Sequence, residues 1–569
     1  MRGFCLFLQK KMSKFIIYQV LPRLFGNHNT TNKPNGSLEE NGCGKFNSFT
    51  SKALKEIKSL GVTHVWYTGV IEHATQTDYT AYGIQKDHPA IVKGKAGSAY
   101  AIKDYYDVDP DLAENVTDRM GEFERLVERT HKAGLKVIID FVPNHVARQY
   151  ASDAKPDGVV DLGERDLTDH AFRPNNNFYY LPGQLFQPQF DVNGYLEFPA
   201  RATGNDQFTA HPGINDWYET VKLNYGVDYM DGRRPYFEPV PDTWHKMLHI
   251  LLYWADKKVD GFRCDMAEMV PVEFWHWAIA QVKSNYPELI FIAEVYNPQE
   301  YRNYIFHGGF DYLYDKVGVY DLLRNISCHQ HPTTQITQAW QSLSGIEKKM
   351  LHFLENHDEQ RVASDYFAGN PWKILPALIV SATLTKAPFM LYAGQELGER
   401  GMDAEGFSGL DGRTTIFDYW GVETLQKWCN KGKFDGKLLS GDQQHLRGFY
   451  QQLLNLSLKE KALSRGVMYD LQYANLLHPR YDQDKQFAYF RKYKKELMLI
   501  VVNFDERPVD ILLNVPVEAL DYLQMDKNVS YQYVDLLDEA YVGNFNFNAE
   551  SLIEISIPSL SGRILKLNL

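Results

Sequence analysis

Eight short apolar runs, separated by amphipathic stretches, set the strongest constraint on what this chain can fold into. They are FIIYQV (15–20), VTHVWYT (62–68), LKVIIDFV (135–142), VDGFRCD (259–265), LIFIAEV (289–295), GFDYLYD (309–315), MLHFLE (350–355) and PFMLYA (388–393). Short runs rich in β-branched and aromatic residues read as strands of a parallel sheet, buried on both faces. Between them, EFERLVERTHKAG (122–134) repeats Leu126, Val127 and Thr130 at helical spacing, with Gly134 placed to end the helix. TWHKMLHILLYWADK (243–257), EFWHWAIAQVK (273–283) and PWKILPALIVSATL (371–384) are further helical patterns. Eight strand–helix alternations ending near residue 459 predict an α/β chain built on a (β/α)8 TIM barrel.

At 569 residues the chain is too long for one compact core. After the third strand, residues 146–241 are rich in Asn, Asp, Gly, Pro and aromatics, and an unstructured loop of that length is improbable. They are expected to form an inserted domain over the barrel mouth. Residues 396–440 make a second excursion after the eighth strand. Further on, QFAYFRKYKKELMLIVVNF, DILLNV and SLIEISIPSL are β runs with no helix between them, which predicts a C-terminal antiparallel β-sandwich domain. The expected division is a barrel from 12–145 and 242–460, an inserted domain at 146–241 and the sandwich at 461–569.

Composition removes several function classes. A net charge of −12 without a Lys/Arg stripe argues against a nucleic-acid partner. No apolar run reaches the roughly 18 residues of a membrane span. The apolar stretch from Phe4 to Leu8 is broken at once by Gln9, Lys10 and Lys11, too short for a signal sequence, and Met12 reads as an alternative start. Five scattered cysteines form no CxxC pattern, so neither a zinc site nor a disulfide framework is expected, and a cytoplasmic location fits.

Four of the predicted strands end in charge: IIDFVPNH (138–145), VDGFRCDMAE (259–268), LIFIAEVY (289–296) and MLHFLENHDE (350–359). A carboxylate beside an apolar strand is costly to desolvate and persists mainly where it is used or well paired. Asp265 and Glu294 lie 29 residues apart, one βα unit, and so belong to adjacent strands. Asp358 follows 64 residues later, on the seventh strand. Arg263, two residues before Asp265, faces the same way and should hold Asp265 ionised. Glu294, on the more apolar strand, is the better candidate for a raised pKa. Taken singly, Asp140 with Arg263 reads as an ion pair between strands and His145 as a satisfied polar residue. Their common position at strand C-termini is what those readings leave unexplained.

DFVPNH, GFRCD, IAEV and ENHD, in this order, resemble the four signature regions of the α-amylase family of glycoside hydrolases. The resemblance extends to the inserted and C-terminal domains. It implies retaining cleavage of α-1,4-glucosidic bonds in α-glucans or maltooligosaccharides through a covalent glycosyl-enzyme. An α-glucosidase or an α-glucan transglycosylase is the alternative. A catalytically dead relative would carry a broken carboxylate triad or a membrane span, and this chain has neither. By the same resemblance Asp265 matches the nucleophile, Glu294 the general acid/base and Asp358 the third carboxylate, which binds sugar hydroxyls. Arg263 matches the arginine beside the nucleophile, His145 and His357 the histidines that bond hydroxyls of the cleaved ring, and Asp140 a supporting carboxylate. Tyr100, in GSAYAIKDYY, resembles the tyrosine that stacks on that ring. No cofactor is required for the chemistry. A structural calcium ion is left open: Asn144 matches an asparagine that binds calcium in many members, with Asp161, Glu164 and Asp166 as acidic candidates for further ligands. The Asn-rich loop FGNHNTTNKPNGSLEENG, where some relatives bind calcium, reads as turn-forming. The chain departs from the pattern at Glu268-Met269, where many α-amylases have a Lys-His pair that contacts sugar beyond the cleavage point. The resemblance specifies no oligomeric state.

Overall fold

A computed structural model describes residues 14–548 and 550–568; Met12 and the Phe4–Leu8 run lie outside them. All eight expected strands form: β1 (Ile16–Val20), β2 (His64–Tyr67), β3 (Lys136–Phe141), β4 (Gly261–Cys264), β5 (Ile290–Ala293), β6 (Tyr312–Tyr314), β7 (Met350–Phe353) and β8 (Phe389–Tyr392). They close into one parallel barrel in sequence order, β8 returning to β1. Side chains alternate between the two faces of a strand. Ile17, Trp66, Ile138, Ile292, Leu351, Phe353 and Met390 fill the barrel, while Phe141, Phe262 and Phe291 face the surrounding helices. Gly261 is forced by this packing, because a Cβ there would stand 2.5 Å from Ile290 Cγ1.

The helix expected at 122–134 is α1 (Arg119–Lys132), which buries Phe123, Leu126, Val127 and Thr130; Gly134 follows it with φ +74°. Helices α2 (Asp242–Asp256) and α3 (Val272–Asn285) lie where the apolar spacing places them. The pattern at 371–384 differs from expectation. It divides into a 3-10 turn, Pro371–Ile374, and helix α4, Leu375–Thr383, because Pro376 is tolerated only in a first helical turn. The sequence reading also missed a hairpin between β2 and α1. In it Ile71–His73 pairs antiparallel with Ile102–Val108, through irregularities on both sides of Glu72.

Residues 146–241 hold only short antiparallel pairs: Tyr180–Leu181 with Ala200–Arg201 and Val227–Asp228 with Arg234–Pro235. Thr220–Lys222 pairs back onto His145–Ala147, just beyond β3. Arg148, buried among them, donates to Glu197 and to the carbonyls of Tyr218 and Thr220. Such charge-assisted bonds replace the regular sheet ladder this segment lacks. Beyond Arg465 the chain is antiparallel. Six strands form one sheet, and Val509–Pro516 with Glu550–Ile557 form a second. Ile511, Leu513, Ile553 and Ile555 share one core with Phe490, Leu499 and Leu565, as two facing sheets of a sandwich require.

Candidate active site

The inward columns of β3, β4 and β5 change character towards the barrel's C-terminal mouth. Ile138 is followed by Asp140, Gly261 by Arg263 and then Asp265, and Ile292 by Glu294. Register fixes the result, because Arg263 lies opposite Asp140 on β3 and Ile292 on β5. The Asp265 and Glu294 amides continue the ladder onto the carbonyls of Phe141 and Cys264. All four polar groups are therefore set by strand pairing rather than by loops.

Arg263, 1% exposed, organises the charge. Its Nη1 donates to Asp265 Oδ1 at 2.7 Å and lies 3.6 Å from Asp140 Oδ1, and its Nε donates to the Tyr314 hydroxyl. Nη2 stands 2.9 Å from Glu294 Oε2 as an ion pair without hydrogen-bond alignment. The guanidinium also lies between 5 and 6 Å from the rings of Trp66, Tyr100 and Tyr314. One cation thus faces several carboxylates. Burial raises the pKa of Asp265 well above the ordinary carboxylate range; Arg263 opposes this and the Glu294 carboxylate adds to it. Burial likewise pushes Asp140 up to about 6 against Arg263. This differs from the sequence expectation that Arg263 would single out Asp265 as the ionised group. The guanidinium is shared among carboxylates of three strands, β3, β4 and β5, and desolvation of the whole cluster outweighs it.

Glu294 is held at both oxygens. Oε1 accepts from the Tyr296 hydroxyl at 2.5 Å and Oε2 from the Met266 amide at 2.8 Å. The Met266 bond requires a left-handed backbone, φ 42°, directly after Asp265, a conformation that costs a non-glycine residue about 1 kcal/mol or more. Such strain persists where the surroundings impose it.

The two histidines and Tyr100 complete the wall. His357 Nδ1 lies 2.7 Å from Gln19 Nε2, and its Nε2 is 2.5 Å from the Tyr100 hydroxyl and 3.1 Å from Asp358 Oδ2. Burial, then Arg263, holds its pKa well below the usual imidazole value, so the ring is neutral. The Tyr100 ring stacks on His357 and its hydroxyl reaches Asp140 Oδ1. His145 packs against Trp217, and burial, then Lys222, lowers its pKa to about 3. Burial and then Glu294 push Asp358 up to about 7, although 41% of its side chain remains accessible.

Tyr100, His145, Asp265, Glu294 and Asp358 all face one cleft of about 320 Å³. Arg263, His357 and Asp140 lie beneath it, bonded to its lining. The sequence reading missed four other groups there: Tyr296, Trp217, Phe417 and the Lys93–Glu219 ion pair at 3.1 Å. Trp217 and Phe417 come from the two excursions, where no periodicity marks them. Glu268, at the departure noted above, does not face the cleft's substrate space. Its Oε2 accepts from the Tyr296 and Asn297 amides and fixes the turn after β5.

Asn144 does not fit a divalent cation. Its Oδ1 accepts from Lys222 Nζ at 2.6 Å, that ammonium also pairs with Asp206 at 2.6 Å, and its Nδ2 donates to the Gly204 carbonyl. Lys222 is 2% exposed and supplies the positive charge itself. The acidic candidates are likewise spent locally: Asp161 on the Ser152 and Leu162 amides, Glu164 on the Asp161 amide and Lys155, and Asp166 on the Asn177 and Phe178 amides.

A closed parallel barrel with carboxylates gathered at its C-terminal mouth has the architecture of a (β/α)8 enzyme. The chain belongs to the α-amylase family of glycoside hydrolases: the family model for the α-amylase catalytic domain matches residues 19–419. It is 24% identical over 517 residues to α-amylase MalA of Haloarcula japonica, covering 89% of this chain and 58% of that protein. It is also 24% identical over 399 residues to a cyclomaltodextrin glucanotransferase of Geobacillus stearothermophilus, covering 67% and 49%. The chain thus spans about half the length of these relatives. Among solved structures, it is similar to an α-amylase of Geobacillus thermoleovorans complexed with acarbose, with TM-score 0.62, 19% identity and 98% of each chain covered. A maltogenic α-amylase of Thermotoga neapolitana gives TM-score 0.61, 19% identity, and 98% and 99% coverage. These structural likenesses concern the fold.

Proposed function

We propose that this chain hydrolyses α-1,4-glucosidic bonds of α-glucans or maltooligosaccharides with retention, through a covalent glycosyl-enzyme. The observation that carries the reading is the pair Asp265 and Glu294, on adjacent strands, bridged by one guanidinium and opening with Asp358 into a single cleft. Retaining hydrolysis needs one carboxylate to attack and a second carboxyl to donate a proton to the leaving oxygen, only about 5 Å apart. In this reading Asp265 attacks the anomeric carbon while Arg263 and the Phe141–Asp265 backbone bond hold it in place. Glu294, positioned by Tyr296 and Met266, protonates the departing sugar and then takes a proton from water. Asp358 accepts from ring hydroxyls while His357, beneath the cleft, holds Asp358 and the Tyr100 hydroxyl; His145 binds from the other wall, and the Tyr100 face covers the ring. The proposed division of the chain remains a barrel at 12–145 and 242–460, an inserted domain at 146–241 and a sandwich at 461–569. The substrate excludes water from the half-open cleft, strengthening each of these interactions.

A second reading, transfer of the glycosyl group to a sugar hydroxyl, draws support from the equal identity to an α-amylase and a glucanotransferase. Product analysis on maltoheptaose, with starch and maltose in parallel, separates the two. Short oligomers from maltoheptaose are expected; products longer than the substrate would replace hydrolysis with transfer, and glucose alone would indicate an exo-acting glucosidase.

A further inference from the structure

The cleft wall formed by Ile416 and Phe417 has no regular structure beneath it: between Leu397 and Glu423 the chain forms neither helix nor strand. Its position depends on a buried arginine outside the cleft. Arg23, 4% exposed and three residues beyond β1, sends both terminal nitrogens into neighbouring backbone. Nη1 donates to the Ile416 carbonyl at 3.0 Å and the Gly97 carbonyl at 3.2 Å, and Nη2 to the Ala96 carbonyl at 3.1 Å. The remaining Nη2 hydrogen goes to His73 Nε2. That nitrogen is an acceptor, because His73 Nδ1 donates to the Ile71 carbonyl and burial, then Arg23, lowers the ring's pKa to about 3. All four Nη hydrogens therefore meet neutral acceptors, and Asp109, at 3.9 Å, is too far to take one.

These bonds join two segments that reach the cleft from distant parts of the sequence. Residues 94–97 lead into Ser98 and Tyr100, and the Ala96 amide donates to the Phe417 carbonyl at 3.1 Å. The backbones approach so closely that a Cβ at Gly94 would stand 2.1 Å from that carbonyl oxygen. The Asn-rich loop after β1 continues the contact. Asn41 donates to the Tyr419 carbonyl, Asn27 to the Trp420 carbonyl, and Asn32 exchanges two bonds of 2.8 Å with Gly421. Turn formation, the role its composition suggests, leaves these bonds unexplained. We propose that Arg23 is a positioning residue for glucan binding, fastening Ile416 and Phe417 to the segment that carries Tyr100, with the Asn-rich loop securing the chain that follows. The ligand rests on the functional reading above; the clamp rests on the geometry.

Hydrogen exchange of the full chain, with kinetics on maltoheptaose, tests this. Arg23→Lys keeps the charge but loses the planar fork that reaches several carbonyls at once. Amide exchange in residues 94–97 and 416–421 is expected to rise about tenfold or more, with the barrel strands unchanged. KM should rise about tenfold and kcat stay within about threefold, because the wall meets ground state and transition state alike. Phe417→Ala should raise KM to a similar extent, and combining it with Arg23→Lys should add little, since Arg23 acts through that ring. Asn32→Gly keeps the left-handed backbone, φ 45°, and removes only the amide; it should raise exchange at 416–421 and keeps the test decisive if Arg23→Lys misfolds. Unchanged exchange at 416–421 in Asn32→Gly or in a folded Arg23→Lys, fully additive KM effects, or a loss confined to kcat would overturn the proposal. A parent chain inactive on maltoheptaose would instead overturn the functional reading, and the exchange result alone would then decide the clamp.

Discussion

At the scale of single residues, the site is organised by how one guanidinium is shared. Arg263 contacts both Asp265 and Glu294, so position rather than charge pairing distinguishes the two carboxylates. What differs is the rest of their surroundings: Glu294 alone has a phenol on one oxygen and a strained amide on the other. A hydrogen bond to a charged group contributes about 1.5–3 kcal/mol. Tyr296→Phe is therefore expected to lower kcat/KM on maltoheptaose by about 10- to 100-fold, mostly in kcat, with an unchanged melting curve. An unaltered kcat would remove Tyr296 from the reaction. Asp265, Glu294, Asp358, Arg263 and the two histidines were legible in the sequence because each sits in a short motif at a strand end. Tyr296 sits in the same motif, yet nothing in its spacing shows where its hydroxyl points. Trp217 and Phe417 carried no signal at all, since their approach to the cleft depends on how two irregular segments fold back.

At the scale of elements, the strands were the most legible part of the chain and the irregular segments the least. Period-two alternation specifies an inward column, and the switch from Ile138 to Asp140 or from Ile292 to Glu294 marks its mouth end. Helix α4 begins late because Pro376 overrides an apolar run that sequence spacing cannot subdivide. The hairpin bearing Glu72 and Asp104 went unseen, its ladder being irregular around Glu72. The inserted segment has a small apolar core of its own, with Leu181, Phe186, Tyr195 and Ala200, and is anchored besides by polar contacts in which Lys222 is central. Replacing it with a chain of similar length, Lys222→Met, orphans Asn144 Oδ1 and leaves Asp206 unpaired. Loss of about 1–3 kcal/mol is expected for the buried orphan. It should appear as a lower melting temperature and faster proteolysis within residues 146–241. A variant as stable and as protease-resistant as the parent would show that the ammonium is not what holds this crossing.

At the scale of the whole molecule, burial of so many carboxylates has a consequence for pH dependence. Burial raises Asp140 to about 6, and Asp315, Glu355 and Asp358 to about 7. A carboxyl whose pKa is raised on folding binds its proton more tightly in the folded state. Its contribution to stability is present below the unfolded value near 4 and is lost as pH rises through the folded value. Buried histidines lowered to about 3, His64, His73, His145 and His352, act in the opposite sense up to about pH 6.5. The ligand-free protein is therefore expected to lose stability between about pH 6.5 and 8, as thermal melts would show. Asp358→Asn should flatten the part of that slope near pH 7, modestly, since Asp358 is partly exposed. Stability that rises steadily across this range would contradict the linkage. No helix of the described residues is long and apolar enough to cross a membrane.

The central claim is a covalent intermediate on Asp265. Incubation with a slow fluorinated α-glucosyl fluoride, followed by intact-protein and peptide mass spectrometry, tests it most directly. One glucosyl adduct per chain is expected, on the peptide containing Asp265, and Asp265→Asn should acquire none while losing at least about a thousandfold in rate on maltoheptaose. An adduct on another residue, or near-normal turnover by Asp265→Asn, would contradict the account.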